Sequence, residues 1–400
     1  MKTYAGVGGV AKLAQRMYAG INGVAANVLK AYIGDENGKA KLWFSSLPSV
    51  TWQRFTNQYY PDYSSYAKYS MCYDNGTVLV CGKDGVFHLE DDGRWINGKY
   101  PDGNWIIHGH FMDICAHDGV IVTICENLTS SNEQGCGIYY STDGGVTFTM
   151  CVETVAKAYW NFVKYVNGRW FASLKGGFYH SADGMNWTKV TTTYRGVSTS
   201  PNDAFYDDAR GMWILDCSNC YYKSSNGTSW SSGDGAYGYR FKNGNNIIVV
   251  YMGASGDRIS YSTDGGTTLT KSTFEGEAKY SISQYAGFWY SDSHGVCFAD
   301  GKWVLGSASG LIYSEDFGAT WKKCKAPKIG ICEVRHSDGV WMATGKEAYI
   351  LYSYDGITWF NTVTLQNRYM YGLLCVDGRW IVGGEYGMLY CDAFIGNNGA

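Results

Sequence analysis

Leu311-Ile312-Tyr313-Ser314-Glu315-Asp316-Phe317-Gly318-Ala319-Thr320-Trp321-Lys322 sets two apolar arms around a polar turn. Ser and Asp side chains bond backbone groups a few residues on, and Gly takes turn conformations that other residues resist. The stretch therefore reads as a β-hairpin.

The hairpin recurs. Tyr140-Ser141-Thr142-Asp143-Gly144-Gly145-Val146-Thr147-Phe148 and Tyr261-Ser262-Thr263-Asp264-Gly265-Gly266-Thr267-Thr268-Leu269 are full copies. Shorter ones run from Ser181 to Trp187 and from Ser353 to Trp359, and Ser224 to Trp230 carries Asn226 in place of Asp. Worn copies lie at Ser45 to Trp52 and Phe87 to Trp95. The closing apolar residue falls at 52, 95, 148, 187, 230, 269, 321 and 359, a spacing of 38 to 53 residues. A period in this range marks propellers and solenoids.

A second signature precedes each hairpin: a Gly turn followed by an apolar strand. Asp300-Gly301, Asn167-Gly168, Asp338-Gly339 and Asp377-Gly378 lead into Trp303, Trp170, Trp341 and Trp380, and Asn75-Gly76, Asp118-Gly119, Arg210-Gly211 and Asn243-Gly244 mark the rest. Each unit thus reads as a four-stranded antiparallel blade. The eight turn signals predict an all-β propeller of eight blades. The last unit stops after Met388-Leu389-Tyr390, and Thr51-Trp52-Gln53-Arg54-Phe55 is a strand without a unit. Segment 50–55 is expected to complete the last blade and close the ring, which removes free edges. Seven blades is the alternative, because Lys41 to Ser45 reads as a surplus strand and the Phe87 unit is weak.

Composition agrees. Of 400 residues, 52 are Gly, 34 Tyr and 15 Trp, which favours short strands and tight turns. The net charge of −3 gives no electrostatic case for nucleic acid, and no apolar run approaches a membrane span. The start, Met1 to Gly6, lacks the apolar core of a secretory signal. Thirteen cysteines include one C-x-x-C, Cys217 and Cys220. They read as small buried strand residues made in a reducing compartment, not as a disulfide framework. There is no phosphate loop, metalloprotease helix or nucleophile elbow. His108 and His110 are not expected to bind metal, and no cofactor is expected.

The hairpins resemble the Asp-box of bacterial-neuraminidase-repeat propellers, Ser-x-Asp-x-Gly-x-Thr-Trp, over residues 41 to 394. The copies at Ser141 and Ser314 match well, and the one at Ser262 lacks only the aromatic. The resemblance implies a sialidase-like fold in which Asp143, Asp264 and Asp316 cap turns and are not catalytic acids. Sialidase activity would further need converging arginines, a Tyr-Glu pair and an Asp acid. Arg94, Arg169 and Arg379 belong to repeat turns, whereas Arg240, Arg335 and Arg368 lie near first-strand starts. The Phe-Arg-Ile-Pro-like element of that family is absent; Arg54-Phe55 is the nearest sequence.

Tyr4-Ala5-Gly6-Val7-Gly8-Gly9-Val10-Ala11 pairs with Tyr18-Ala19-Gly20-Ile21-Asn22-Gly23-Val24-Ala25, and a worn copy starts at Tyr32, giving a 14-residue period. The stretch resembles repeated segments in tail proteins of bacteriophages of gut Firmicutes. It implies that residues 1–40 attach to a virion or trimerise, while 41–400 form the propeller.

In antiparallel blades the 1–2 and 3–4 turns share one face, and the 2–3 and 4–1 loops share the other. The second face carries the variable loops, rich in aromatics, and function concentrates on such loops. Rings with nearby arginines suit sugar faces and hydroxyls. The expected ligand-binding residues are Tyr194, Arg195, Tyr239, Arg240, Trp289, Tyr290, Arg335, Arg368 and Tyr369. The expected function is a phage tail or baseplate-associated protein, made in the bacterial cytoplasm, that binds a bacterial surface glycan. Its other expected partners are tail proteins. A glycoside hydrolase and a purely structural virion module are the alternatives.

Overall fold

A computed structural model of the chain describes strands 3–7, 10–14, 31–34 and 40–44, and residues 50–392 except 56–69, 83–84, 107–109, 127–135, 154–159, 175, 196, 209, 218–219, 235–238, 245, 252–257, 266–267, 276–294, 308–309, 346–348, 364–369 and 385–386. It divides into two compact units, Met1–Thr51 and Trp52–Ala400.

In the first unit, Thr3–Val7 pairs antiparallel with Val10–Ala14, and Ala31–Gly34 pairs with Ala40–Phe44. The surplus strand at Lys41 to Ser45, which kept seven blades open, therefore belongs to this hairpin and not to a blade. The hairpin copy at Ser45 to Trp52 falls largely outside the described residues.

The second unit is an all-β propeller of eight four-stranded antiparallel blades, one of which gains a short fifth strand, Thr273–Phe274, laid parallel to Thr320–Lys323. Their innermost strands are Ser70–Asp74, His110–His117, Trp160–Val166, Pro201–Asp207, Tyr239–Asn243, Val296–Ala299, Ile331–Ser337 and Met370–Val376. We number the blades 1 to 8 in that order. Segment 50–55 completes blade 8 as expected: Gln53–Arg54 lies beside Gly387–Cys391, with Arg54 opposite Leu389 and Gln53 opposite Tyr390. The ring is thereby closed by its two ends.

The turns explain why these residues form blades. Asn75, Asp118, Asn167, Asp300, Asp338 and Asp377 have φ of 46 to 55°, each followed by a Gly with φ of 74 to 86°. Two successive left-handed residues make the type I′ turn, whose twist matches that of the strands it joins. In blade 4 the Arg210-Gly211 turn is wider, and Arg210 Nη1 donates to Asp207 Oδ2 (2.7 Å).

Just beyond the turns, aromatic pairs face each other across strands 1 and 2. Tyr165 and Trp170, Tyr206 and Trp213, and Phe298 and Trp303 are directly opposed, with centroids 5.1, 5.0 and 4.9 Å apart in edge-to-face geometry. Such pairs stabilise beyond their buried area by roughly 1 kcal/mol each.

The core lies between blades. One cluster joins Leu79 and Val86 of blade 1 to Phe111, Ile114 and Tyr139 of blade 2, and another joins Val304 and Leu311 of blade 6 to Val334 and Trp341 of blade 7. The outer rim repeats a smaller device. Three residues after most of the closing residues, the chain reaches the next hairpin. Phe55 meets Trp95, Cys151 meets Trp187, Val190 packs on the same cluster as Trp230, and Cys324 packs with Trp359. Ser272 Oγ donates to Gly318 O (2.6 Å), and Trp52 Nε1 donates to Thr362 Oγ1 (2.8 Å). A Cβ on Gly98 would lie 2.8 Å from the Phe148 ring, so this position takes no side chain. All 13 cysteines are free thiols, buried or half-buried.

Candidate functional site

The antiparallel order puts the 1–2 and 3–4 turns at one end of every blade and the 2–3 and 4–1 connections at the other. The first end is closed by local hydrogen bonds. In the hairpin after Gly137–Ser141, Ser141 Oγ donates to Asp143 Oδ1 (2.7 Å), and the amides of Val146 and Thr147 donate to the same oxygen (3.1 and 2.9 Å). Asp183, Asn226, Asp264, Asp316 and Asp355 occupy the same position and accept in the same way. Trp187, Trp321 and Trp359 donate their indole N–H to the carbonyls of Gly184, Gly318 and Gly356 (2.9 to 3.1 Å).

These bonds tune the carboxylates. Partial burial pulls Asp143 upward, but bonds from Thr147, Ser141 and Val146 outweigh it and hold the carboxyl below its ordinary range. Asp316 is lowered in the same manner, and Asp183, bonded by Asn186, Met185 and Ser181, lies well below that range. An acid that accepts this many donors is a turn cap, not a proton donor at neutral pH.

The inner strands carry a second set of charges. Asp113 is buried, and its Oδ1 and Oδ2 accept the amides of Ile114 and, in the next blade, Val163 (2.9 Å each). It thus ties the free edge of one inner strand to its neighbour. Asp203 accepts Lys164 Nζ from the preceding blade at 2.8 Å and stands opposite the buried Asp216 in the strand register. Arg335 Nε donates to the fully buried Glu333 Oε1 at 2.7 Å. Lys164 and Arg335 occur in blades 3 and 7, four positions apart around the ring of eight, so they belong to opposite sides of the ring.

The expected ligand residues stand in different surroundings. Arg335 is half-buried, and its contact with Glu333 makes it an internal ion-pair member of the inner strand. Arg195 is exposed, with a left-handed φ of 50°, in the turn between Thr193–Tyr194 and Val197–Ser198. Tyr194, Tyr239 and Arg240 are described as backbone: Tyr194 belongs to that short hairpin, and Tyr239 and Arg240 begin the inner strand of blade 5. Trp289, Tyr290, Arg368 and Tyr369 lie outside the described residues.

The arginines assigned to turns stay there. Arg94 bonds Asp92 (2.6 Å), Arg169 reaches Asn226 O (3.3 Å), and Arg379 bonds Asp392 (2.6 and 3.1 Å). Among the described residues no group of three or more His, Cys, Asp or Glu side chains converges to hold a metal ion. Among the described residues no helix is long and apolar enough to cross a membrane.

A residue that the expected ligand set does not include is Trp105, in the connection between blades 1 and 2, which is 48% exposed. Its signal was its place outside every repeat position.

No protein-family model and no curated protein sequence matches the chain. Solved structures are similar in fold. The computationally designed Ika8 protein superimposes with a TM-score of 0.57 and 11% identity, covering 83% of this chain and 97% of that one. Sqt1 of Saccharomyces cerevisiae gives 0.53 and 8%, covering 81% and 95%. BamB of Moraxella catarrhalis gives 0.49 and 9%, covering 86% and 99%. At such identities the likeness is one of fold. The chain belongs to the class of β-propellers, an architecture that hosts many unrelated functions.

Proposed function

We propose that this chain is a phage tail or baseplate-associated receptor-binding protein whose Asp-box propeller binds a bacterial surface glycan. The repeats at Tyr4, Tyr18 and Tyr32, with their likeness to phage tail segments, support the attachment role of residues 1–40. The observation that carries the binding role is the asymmetry of the wheel. One end of the blades is filled by capped turns, and the strand ends at the other open into the longer, aromatic-bearing connections. A rigid scaffold with variable loops on one side suits recognition. Arg195 and the segments holding Trp289, Tyr290, Arg368 and Tyr369 supply the sugar-binding chemistry in this reading.

The test is adsorption of the labelled full chain to a panel of Firmicutes cells and to their purified surface polysaccharides. Saturable binding that Trp289→Ala or Tyr369→Ala weakens at least tenfold, without release of reducing sugar, is expected. Absence of cell and polysaccharide binding would overturn the reading. Turnover of the polysaccharide would instead favour a glycoside hydrolase, for which the opposed Asp203 and Asp216 are the first carboxylates to replace.

A further inference from the structure

Every tryptophan with a described side chain is buried or half-buried except Trp105, which is 48% exposed. The repeat explains the others, because they close hairpins or pack between blades. Trp105 has no such duty. It sits on the connection that leaves Trp95–Asn97 and enters blade 2, and its backbone is held firmly.

The Lys99 amide donates to Val146 O (2.9 Å), and Phe148 N donates back to Lys99 O (2.8 Å), so the connection is stitched to the next hairpin. Tyr100 N donates to Asn104 O (2.8 Å) and Gly103 N to Tyr100 O (2.9 Å), which closes a tight turn. Asp102 accepts both the amide and the side-chain amide of Asn104 (3.0 and 2.8 Å). Lys99 and Trp105 are bridge partners, which puts both side chains on one side, and Lys99 Nζ lies 4.3 Å from the indole centroid. An ammonium over one face leaves the other for a ligand and fixes the ring's tilt.

We propose that Trp105 is a sugar-stacking platform: a pyranose lays its C–H face on the open side of the indole, and its hydroxyls reach Asp102, Asn104 and Lys99. Three features favour a sugar over a protein. Among the described residues of this connection the exposed large apolar side chain is one indole, far below the roughly 800 Å² that each partner of a stable protein interface buries. Lys99 lies over the ring, and Asp102 and Asn104, which accept and donate, stand within three residues of it along the chain. The turn is already fixed, so a small ligand loses little in ordering it. The inference rests on the glycan-receptor reading and adds a contact point that the repeat pattern does not contain.

The experiment compares the full-length wild type with Trp105→Ala, Trp105→Phe and Lys99→Ala on an array of bacterial surface polysaccharides, with thermal melting of each as a folding control. Binding roughly tenfold weaker in Trp105→Ala and largely kept in Trp105→Phe is expected, because an aromatic face is worth about that much. Wild-type affinity in Trp105→Ala would overturn the inference and leave the receptor reading standing. Wild-type binding to no polysaccharide would overturn the receptor reading and this inference with it. Cell adsorption that needs Trp105 but survives periodate destruction of the glycans would mark a protein contact and also overturn it.

Discussion

The ring of Phe55 meets that of Trp95 edge-on, with centroids 5.3 Å apart and planes at 74°. Phe55 follows the strand that completes blade 8, and Trp95 begins the outer strand of blade 1. The contact is therefore the rim's closing latch, and Met388 and Ile381 of blade 8 fill the same cluster. Phe55→Ala leaves a cavity there and is expected to cost about 3 kcal/mol. Denaturant unfolding checks this. Thr362→Val, which strips the partner of the Trp52 indole, is expected to cost about 1 kcal/mol. A loss in Phe55→Ala no larger than in Thr362→Val would mean that closure does not depend on this latch.

The hairpin carboxylates give an acid limb. Asp143, Asp183 and Asp316 are held low in the folded protein, so the unfolded chain protonates first. Their charged forms support the fold above about pH 4, and that support is lost as pH falls through their lowered folded values. Tm is expected to drop between about pH 4 and pH 2. The triple variant Asp143→Asn, Asp183→Asn, Asp316→Asn is expected to flatten that drop. An unchanged slope would refute the assignment.

Two histidines work with the opposite charge. Burial lowers His180, helped by Arg169, and burial also lowers His336 against the pull of Asp300. The unfolded chain, near pKa 6.5, then takes up protons before the folded one does. Stability from the neutral rings is full above about pH 6.5 and fades below it. Calorimetric scans from pH 7.5 to 5 should show the decline, and His180→Phe with His336→Phe should shrink it.

Phe317 stands in left-handed backbone, φ 59°, and is 43% exposed, where sister hairpins have Gly144 and Gly265 at φ 75° and 71°. A bulky residue in that region costs on the order of 1 kcal/mol. Phe317→Gly relieves it, partly offset by the freedom Gly adds to the unfolded chain, so a net gain of about 0.5 kcal/mol is expected. A fall in Tm would show that the ring makes contacts worth more than the strain.

Asp113 binds the amide of Val163 across 50 residues. Asp113→Ala strands that buried amide, and a loss of about 2 kcal/mol is expected, with faster hydrogen exchange at Val163. Unchanged exchange at Val163 would mean that the amide finds another acceptor.

Much of the architecture was legible in the chain. Asn-Gly and Asp-Gly steps force two left-handed residues, and a Ser-x-Asp step caps its own hairpin. Both are decided within a few residues, so the repeat, the blade boundaries and the closing strand at Gln53–Arg54 could be read directly. The wheel itself set the rest. Arg335 and Trp105 are both conspicuous in sequence, yet one is bound to a buried Glu333 and the other stands open beside Lys99. A residue's local geometry depends on its chain neighbours, which the sequence contains. Its burial and its partner depend on what the adjoining blade or connection brings against it, and only the closed ring fixes that.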